Sequence, residues 1–154
     1  MEIERKYLIA DLSDVPGQIN DYPFSDMEQG YLNTTPVVRV RKSDEDYYLT
    51  YKGSGMMVRE EYNLPLTKEA YDHLVKKADG IRIQKRRYRI PLEDGLLCEL
   101  DVFHGAYEGL LLAEVEFPTE EKANAFLPPA WFGEEVTYDS RYHNSNMSLR
   151  GETK

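Results

Sequence analysis

The sequence is poor in cysteine, in long apolar runs and in histidine, and each shortage excludes a class of protein. The single cysteine, Cys98, cannot form an internal disulfide, and such cysteine usage is typical of a reducing compartment. No apolar run approaches the ~20 residues of a membrane-spanning helix, and the acidic start lacks the apolar core of a signal peptide. His73, His104 and His143 stand in no metal-binding or triad-like pattern. We therefore expect a cytoplasmic protein with no membrane partner and no histidine-based site.

Positive charge is also in the minority. The chain carries 19 Lys and Arg against 28 Asp and Glu, for a net charge of −9. This balance argues against nucleic acid as a partner, because proteins that bind it present a positive footprint to its phosphates. The basic residues are nevertheless clustered, at 39–42 and 85–89. A concentrated cationic site in an acidic protein suits a small polyanion rather than a long one.

Alternating hydrophobicity and turn residues divide the chain into about eight strands and two helices. Strands are expected at 1–7, 29–33, 37–41, 47–52, 57–64, 81–92, 96–103 and 110–117. Helices are expected at 68–78, after a Thr67 cap, and at 119–127, before a proline pair. The stretch 11–28 is expected to be an irregular loop or a short helix, and 136–146 is expected to be irregular. A chain of 154 residues suits one domain, which we place at 1–150, with a frayed tail at 151–154.

Ionisable residues recur two positions apart in most of these strands, with acids and bases in separate blocks of the sequence. Alternate side chains of a strand share a face, so Glu2, Glu4 and Lys6 point the same way. Two arrangements are open: a sandwich whose charged faces meet solvent, or a barrel whose charged faces line the lumen. A solvated surface usually intersperses the two signs of charge, so their segregation favours the barrel.

A lumen lined with charge needs water, ions or a ligand, because burying unpaired charge is costly. Paired carboxylates suit Mg²⁺ or Mn²⁺, ions that keep several waters and bridge carboxylates to phosphates. Arginines grip phosphate oxygens in pairs of hydrogen bonds, and lysines add point charges. Both sets in one cavity indicate a metal-chelated polyphosphate. Two ions would fit, one orienting the substrate and one activating water for in-line attack on phosphorus.

An ordered set of charged motifs runs along the chain. The motifs are Glu-x-Glu-x-Lys at 2–6, Val-Arg-Val-Arg at 38–41, Thr-Tyr-Lys-Gly at 50–53, Arg-Glu-Glu-Tyr at 59–62, Lys-Arg-Arg-Tyr at 85–88, Glu-Leu-Asp-Val-Phe at 99–103 and Glu-Val-Glu-Phe at 114–117. From Met1 to about Asn146, this set resembles the CYTH superfamily, the triphosphate tunnel metalloenzymes. The resemblance implies a mainly β fold, an eight-stranded antiparallel barrel that forms a tunnel with a charged lumen and few flanking helices.

The resemblance also implies a role for each lumen residue. Phosphate would be bound by Lys6, Arg39, Arg41, Lys52, Arg59 and Arg87. Divalent metal would be held, directly or through water, by Glu2, Glu4, Glu61, Asp101, Glu114 and Glu116. Tyr31 and Lys85 are similar to the Tyr–Lys pair of family members that cleave tripolyphosphate, in which Lys85 would orient or deprotonate the attacking water. The alternative is that Lys85 is one more phosphate clamp.

The family implies action on a triphosphate substrate, and several reactions remain open. The short chain and the Tyr31–Lys85 pair favour metal-dependent hydrolysis of inorganic tripolyphosphate with release of orthophosphate. The alternatives are a class IV-type adenylate cyclase, a thiamine or nucleoside triphosphatase, and a non-catalytic polyphosphate-binding module. Asn63 stands where related sequences often carry a second glutamate, which would change metal affinity. Association through the outer apolar surface leaves a homodimer open.

Overall fold

Nine strands form one antiparallel sheet that curves into a nearly closed barrel in the computed structural model, which describes residues 1–150. The strands are β1 (Glu2–Leu8), β2 (Phe24–Thr34), β3 (Val37–Ser43), β4 (Asp46–Lys52), β5 (Val58–Arg59), β6 (Glu61–Pro65), β7 (Asp79–Pro91), β8 (Leu97–His104) and β9 (Leu111–Glu116). The predicted barrel is confirmed. The tail at 151–154, predicted to be frayed, lies outside the described residues.

The strand count differs from eight because the predicted strand at 57–64 is split. The sheet order is β5-β1-β9-β8-β7-β2-β3-β4-β6, so the two pieces stand at its opposite ends. β5 pairs with β1, where Glu2 faces Arg59, and β6 pairs with β4, where Lys52 faces Glu61. Only Glu60 separates the two pieces along the chain. The chain itself therefore links the two ends of the sheet, and β5 and β6 together act as a single bent strand.

Tight turns set the register of the hairpins that carry the basic clusters. Asp44 adopts a positive φ of 51° between β3 and β4, a conformation that aspartate tolerates better than most residues. Between β7 and β8, Asp94 and Gly95 both have positive φ, as is typical of an Asp-Gly hairpin turn. The second hairpin places Arg87 opposite Asp101.

Three helices pack on or in the barrel: α1 (Lys68–Val75), α2 (Glu120–Ala125) and α3 (Asn144–Arg150). The predicted threonine cap is present in α1, where the Thr67 side chain accepts a hydrogen bond from the Ala70 amide at 3.1 Å. α1 ends three residues before the predicted boundary at 78. α3 was not predicted; it begins within the stretch predicted to be irregular and extends beyond it to Arg150. No helix within residues 1–150 combines the length and the apolar character needed to cross a bilayer.

The outward faces of the strands form the main apolar core. Tyr7, Leu100 and Val115 are buried there beneath α2 and the segment that follows it, with Phe132 packed against them. Cys98 is fully buried in the same core, and burial raises the pKa of its thiol. The outside of the barrel is therefore a conventional hydrophobic core.

The inward faces change from charged to apolar towards one end of the barrel. Ile83, Phe103 and Leu112 each lie two residues from a charged inward residue, so they share its face. They form a buried cluster with Met147 of α3. α3 thus fills this end of the barrel, and the charged part of the lumen lies between it and the opposite end.

Candidate functional site

The charged part of the lumen encloses a cavity of about 330 Å³. All but one of the predicted site residues line it. They are Glu2, Glu4, Lys6, Tyr31, Arg39, Arg41, Lys52, Arg59, Glu61, Lys85, Arg87, Glu114 and Glu116. Because each is placed by strand alternation and by the cross-strand register, the residues that were scattered along the sequence converge on one volume.

The exception is Asp101, which lies behind the cavity wall. Its side chain is fully buried, and both of its oxygens accept hydrogen bonds from Arg87, at 2.7 and 2.9 Å. One of them also accepts from Lys85 Nζ at 2.7 Å. Burial raises the pKa of Asp101, but the charges of Arg87 and Lys85 outweigh it and lower that pKa overall. Asp101 is thus an ionised anchor for two cations.

The basic residues that bind phosphate in the prediction form the cationic wall of the cavity: Lys6, Arg39, Arg41, Lys52, Arg59 and Arg87. This wall carries more positive charge than the neighbouring acidic side chains neutralise. Arg41 donates from Nε to Gln29 Oε1 at 2.8 Å, and its pKa falls to about 9 because of burial and then of its neighbours Arg39 and Arg87. Arg39 Nη2 donates to Thr50 Oγ1 at 3.2 Å. Its buried Nε has no hydrogen-bond partner within residues 1–150. An unsatisfied buried donor is unfavourable, so this wall suits an anion.

The acidic wall of the cavity consists of Glu2, Glu4, Glu61, Glu99, Glu114 and Glu116. This wall carries more negative charge than the neighbouring basic side chains neutralise. Burial, followed by the neighbouring carboxylates Glu114 and Glu2, raises the pKa of Glu4 to about 8 against the opposing charges of Lys52 and Lys6. Glu2 accepts from Lys52 Nζ at 2.9 Å, and Glu114 lies 3.5 Å from Lys6 Nζ. A carboxylate whose pKa is raised by other carboxylates is a position where a bound cation is favourable.

This donor set fits a hard divalent ion. Within the described residues, no three Asp, Glu, His or Cys side chains converge closely enough to hold a metal. Mg²⁺ does not require such a cage, because it commonly takes one or two carboxylates, water and substrate phosphate. The residues that would hold it line the cavity beside the cationic wall.

Lys85 lies at the inner end of the cavity, which is the end next to the buried apolar cluster of Ile83, Phe103, Leu112 and Met147. Its side chain is buried, and Nζ donates to Asp101 Oδ2 at 2.7 Å and to Asn144 Oδ1 at 2.8 Å. Burial lowers its pKa to about 7, with Arg87 and Arg41 adding to the effect and Asp101 opposing it. A lysine with this pKa can exchange a proton near neutral pH.

Tyr31 and Lys85 are joined indirectly. Gln29 Nε2 donates to the Tyr31 hydroxyl at 3.1 Å and to Asn144 Oδ1 at 2.9 Å, and Asn144 contacts Lys85. The predicted pair is therefore bridged by two amide side chains.

Several lining residues were not among the predicted site residues. They are Val37, Tyr48, Glu99, His143, Asn144 and Ser145. Glu99 shares a face with Asp101 and lies 3.4 Å from Arg87 Nη1, so its spacing was a sufficient signal. His143, expected outside the site, lines the cavity and contacts the Thr137 carbonyl oxygen at 3.0 Å. Asn63 also lines it, and its Oδ1 accepts from Thr50 Oγ1 at 2.6 Å.

A nearly closed antiparallel barrel with opposed acidic and basic walls defines the class of this protein, and the CYTH domain family matches residues 1–147. The chain belongs to the CYTH family. It is 43% identical over 152 residues to an inorganic triphosphatase of Nitrosomonas europaea, covering 96% of this chain and 97% of that one. It is 40% identical over 124 residues to an inorganic triphosphatase of Acetivibrio thermocellus, covering 77% of each. A crystal structure of an inorganic triphosphatase superposes with a TM-score of 0.71 at 39% identity, covering 97% of this chain and 95% of that chain.

Proposed function

We propose that this protein hydrolyses inorganic tripolyphosphate and releases orthophosphate, in the presence of Mg²⁺ or Mn²⁺. The observation that carries the proposal is the division of one cavity into two walls. The cationic wall has a buried arginine donor without a partner among residues 1–150, and the acidic wall has a crowded carboxylate. A metal-chelated polyphosphate satisfies both walls at once. The names of the two relatives support inorganic triphosphate as its form.

In the proposed reaction the cationic wall binds the phosphate chain. Lys6, Arg39, Arg41, Lys52, Arg59 and Arg87 neutralise and orient its oxygens. The terminal phosphorus faces the inner end of the cavity, where Lys85 takes a proton from the attacking water. The water oxygen bonds to phosphorus, the anhydride P–O bond breaks, and pyrophosphate leaves.

The acidic wall supplies the proposed metal ligands Glu2, Glu4, Glu61, Glu114 and Glu116. Asp101 leaves this set, because Arg87 and Lys85 occupy its oxygens, and Glu99 joins it as a lining carboxylate. A bound divalent ion would neutralise phosphate charge and polarise the reacting phosphoryl group.

The test is phosphate release from tripolyphosphate, ATP, thiamine triphosphate and pyrophosphate, each with Mg²⁺, Mn²⁺ or EDTA. We expect metal-dependent turnover with tripolyphosphate preferred over the other three. Preference for ATP or thiamine triphosphate would replace the proposed substrate. Cyclic AMP formed from ATP would indicate the cyclase, and tight tripolyphosphate binding without turnover would indicate a binding module.

The finer sequence predictions stand as parts of this proposal. They are two bound ions of Mg²⁺ or Mn²⁺, a single domain spanning 1–150, a cytoplasmic location, no nucleic-acid or membrane partner, and a homodimer formed through the outer apolar surface. Exposed apolar side chains on β4 and β6, including Tyr51, Tyr62 and Leu64, support the last of these.

A further inference from the structure

α3 contributes a polar side chain to the inner end of the cavity. Asn144 is its first residue, and its side chain is buried against Lys85 and Gln29. Gln29 of β2, Lys85 of β7 and Asn144 of α3 are far apart in the sequence, and their side chains meet at the Asn144 amide. This contact has no role in the proposed hydrolysis of tripolyphosphate.

The hydrogen bonds fix the orientation of both amides. Gln29 Oε1 accepts from Arg41 Nε, so Gln29 Nε2 is the group that faces Tyr31 and Asn144. Asn144 Oδ1 receives two donors, Gln29 Nε2 and Lys85 Nζ. Its Nδ2 faces Met147 Sδ at 3.6 Å. Reversing the Asn144 amide would place its Nδ2 against Gln29 Nε2 and the Lys85 ammonium, donor against donor, because neither group can accept a hydrogen bond.

This arrangement aims the lysine nitrogen. Nζ has three directions besides its bond to Cε, and acceptor oxygens of Asp101 and Asn144 take two of them. An N–H must point along each of those two in either protonation state. The third direction, which carries a hydrogen in the ammonium and the lone pair in the amine, is left for the cavity that Lys85 lines.

The same chain of bonds aims the tyrosine. The Tyr31 oxygen accepts from Gln29 Nε2 at 3.1 Å, so its own hydrogen points elsewhere. Tyr31 also lines the cavity, where an anionic oxygen would accept that hydrogen.

We propose that Asn144 and Gln29 are positioning residues, which hold the Lys85 nitrogen and the Tyr31 hydroxyl towards the terminal phosphoryl group and its attacking water. The inference rests on the proposed function and deepens it, because it makes α3 part of the active site.

The test is a double-mutant cycle on tripolyphosphate hydrolysis with Mg²⁺, using Asn144→Leu, Lys85→Met and their combination. Asn144→Leu removes the shared acceptor, and we expect kcat to fall about 10- to 100-fold, the usual effect of losing a group that orients a reactive one, with KM within about twofold. Lys85→Met is expected to lower kcat by about 10²- to 10⁴-fold. In the Lys85→Met background, Asn144→Leu should cause no further loss, since it acts through the missing amine.

Two further variants separate positioning from packing. Asn146→Leu makes the same change two residues along α3, where the side chain bonds the Ser140 carbonyl outside the cavity, and kcat should stay unchanged. Asn144→Asp keeps the accepting oxygen and should recover part of the loss. If leucine prevents folding, as a melting curve would show, Asn144→Ala takes its place.

Each contrary result points to a different failure. An unchanged kcat in Asn144→Leu, or an equal loss in the Lys85→Met background, overturns the positioning role and leaves triphosphate hydrolysis standing. An unchanged kcat in Lys85→Met would show that Lys85 is not the base, and the positioning role of Asn144 and Gln29 would be overturned with it. A wild-type protein that releases no phosphate overturns the proposed function itself, and the positioning role falls with it.

Discussion

Glu4 stands among like charges in the cavity, and this links its protonation to the stability of the barrel. Its pKa is 4.5 in the unfolded chain and about 8 in the folded protein without metal. A raised pKa means that the folded state favours the protonated form. The stability that Glu4 contributes is therefore fully present below about pH 4.5 and is lost as the pH rises through about 8.

Glu4→Gln should therefore stabilise the metal-free protein at pH 9 and much less at pH 5. The expected rise in Tm at pH 9 is at least about 3 °C, since ~1 kcal/mol moves the Tm of a domain of this size by about 2–4 °C. Melting curves in EDTA measure it. Glu45→Gln, on the exposed β3–β4 turn, is the control and should change Tm equally little at both values. Equal stabilisation by Glu4→Gln at pH 5 and pH 9 would contradict the linkage.

Added Mg²⁺ should reverse the difference, because a bound cation favours the ionised carboxylate. At pH 9 the Tm of the wild-type protein should rise more than that of Glu4→Gln. A larger rise in the variant would remove Glu4 from the metal site.

Residue spacing predicted the membership of the site better than its depth. Alternation fixes the face on which a side chain lies, and this sufficed to place Lys6, Arg41 and Glu114 in the lumen. It does not fix the position along the barrel axis, which depends on register between strands. Asp101 shares the face of Glu99, but its register places it one layer deeper, bonded to Lys85 and Arg87. The metal role of Asp101 was implied by the family resemblance, and the spacing carries no information on the depth that separates Asp101 from the cavity.

At the scale of elements, the helical conformation of α3 is stabilised by tertiary packing rather than by the helix propensity of its residues. Its residues, Asn-Ser-Asn-Met-Ser-Leu-Arg, include four poor helix formers, and they show no apolar stripe. The helix forms because Met147 inserts among Ile83, Phe103 and Leu112. This tertiary contact is invisible in the local sequence, so the helix and its cavity residue Asn144 were missed together. β2 began earlier than predicted for a similar reason, since Phe24 to Glu28 become a strand by pairing with β7.

Gly80 is the point where β7 meets α3. It has a φ of +67°, and a Cβ there would collide with the carbonyl oxygen of Ser148. Gly80→Ala should therefore lose the ~1–2 kcal/mol of a left-handed alanine and in addition about 1–3 kcal/mol from overpacking against α3. Urea unfolding measures both terms together.

Gly105→Ala is the matched control for this change. Gly105 has a nearly identical φ of +68°, and, apart from the glycine itself and its two chain neighbours, no heavy atom of residues 1–150 lies within 4 Å of the site of its Cβ. It should show the conformational loss alone. Equal destabilisation by the two substitutions would mean that α3 is not tightly packed on β7. Where Gly80→Ala still folds, it should also lower kcat, since displacing α3 moves Asn144.

At the scale of the whole molecule, an acidic protein of net charge −9 encloses a cationic wall inside its barrel. Because the lumen is the interior of the fold, a polyanion that binds there stabilises the entire molecule by mass action, by about 2.7 kcal/mol at a ligand concentration 100 times Kd. In EDTA, where turnover is prevented, tripolyphosphate should raise Tm by about 5–10 °C at that concentration.

Arg39→Met should reduce this ligand-induced rise, because Arg39 offers a buried donor without a partner among the described residues. The ligand-free variant should be at least as stable as the wild type, since a methionine fills the space without a buried charge. Arg82→Met is the control: Arg82 lies on the same barrel but is 43% exposed and pairs with Glu28. An equal loss of the ligand effect in both variants would show general charge attraction rather than binding in the lumen.

The sheet order also has a consequence for biosynthesis. β1 carries Glu4 and Lys6, yet its long ladder is with β9, where these residues face Glu116 and Glu114. A ribosome adds roughly 5–20 residues per second, so β1 waits for roughly 5–20 s before its main partner is made, and α3 follows later still. During that time β1 lacks its main partner and carries two acids and two bases, Glu2, Glu4, Arg5 and Lys6, and no pocket exists. Those charges keep the waiting strand soluble, so the residues that would bind metal and phosphate in the finished barrel also protect the chain while it is being made.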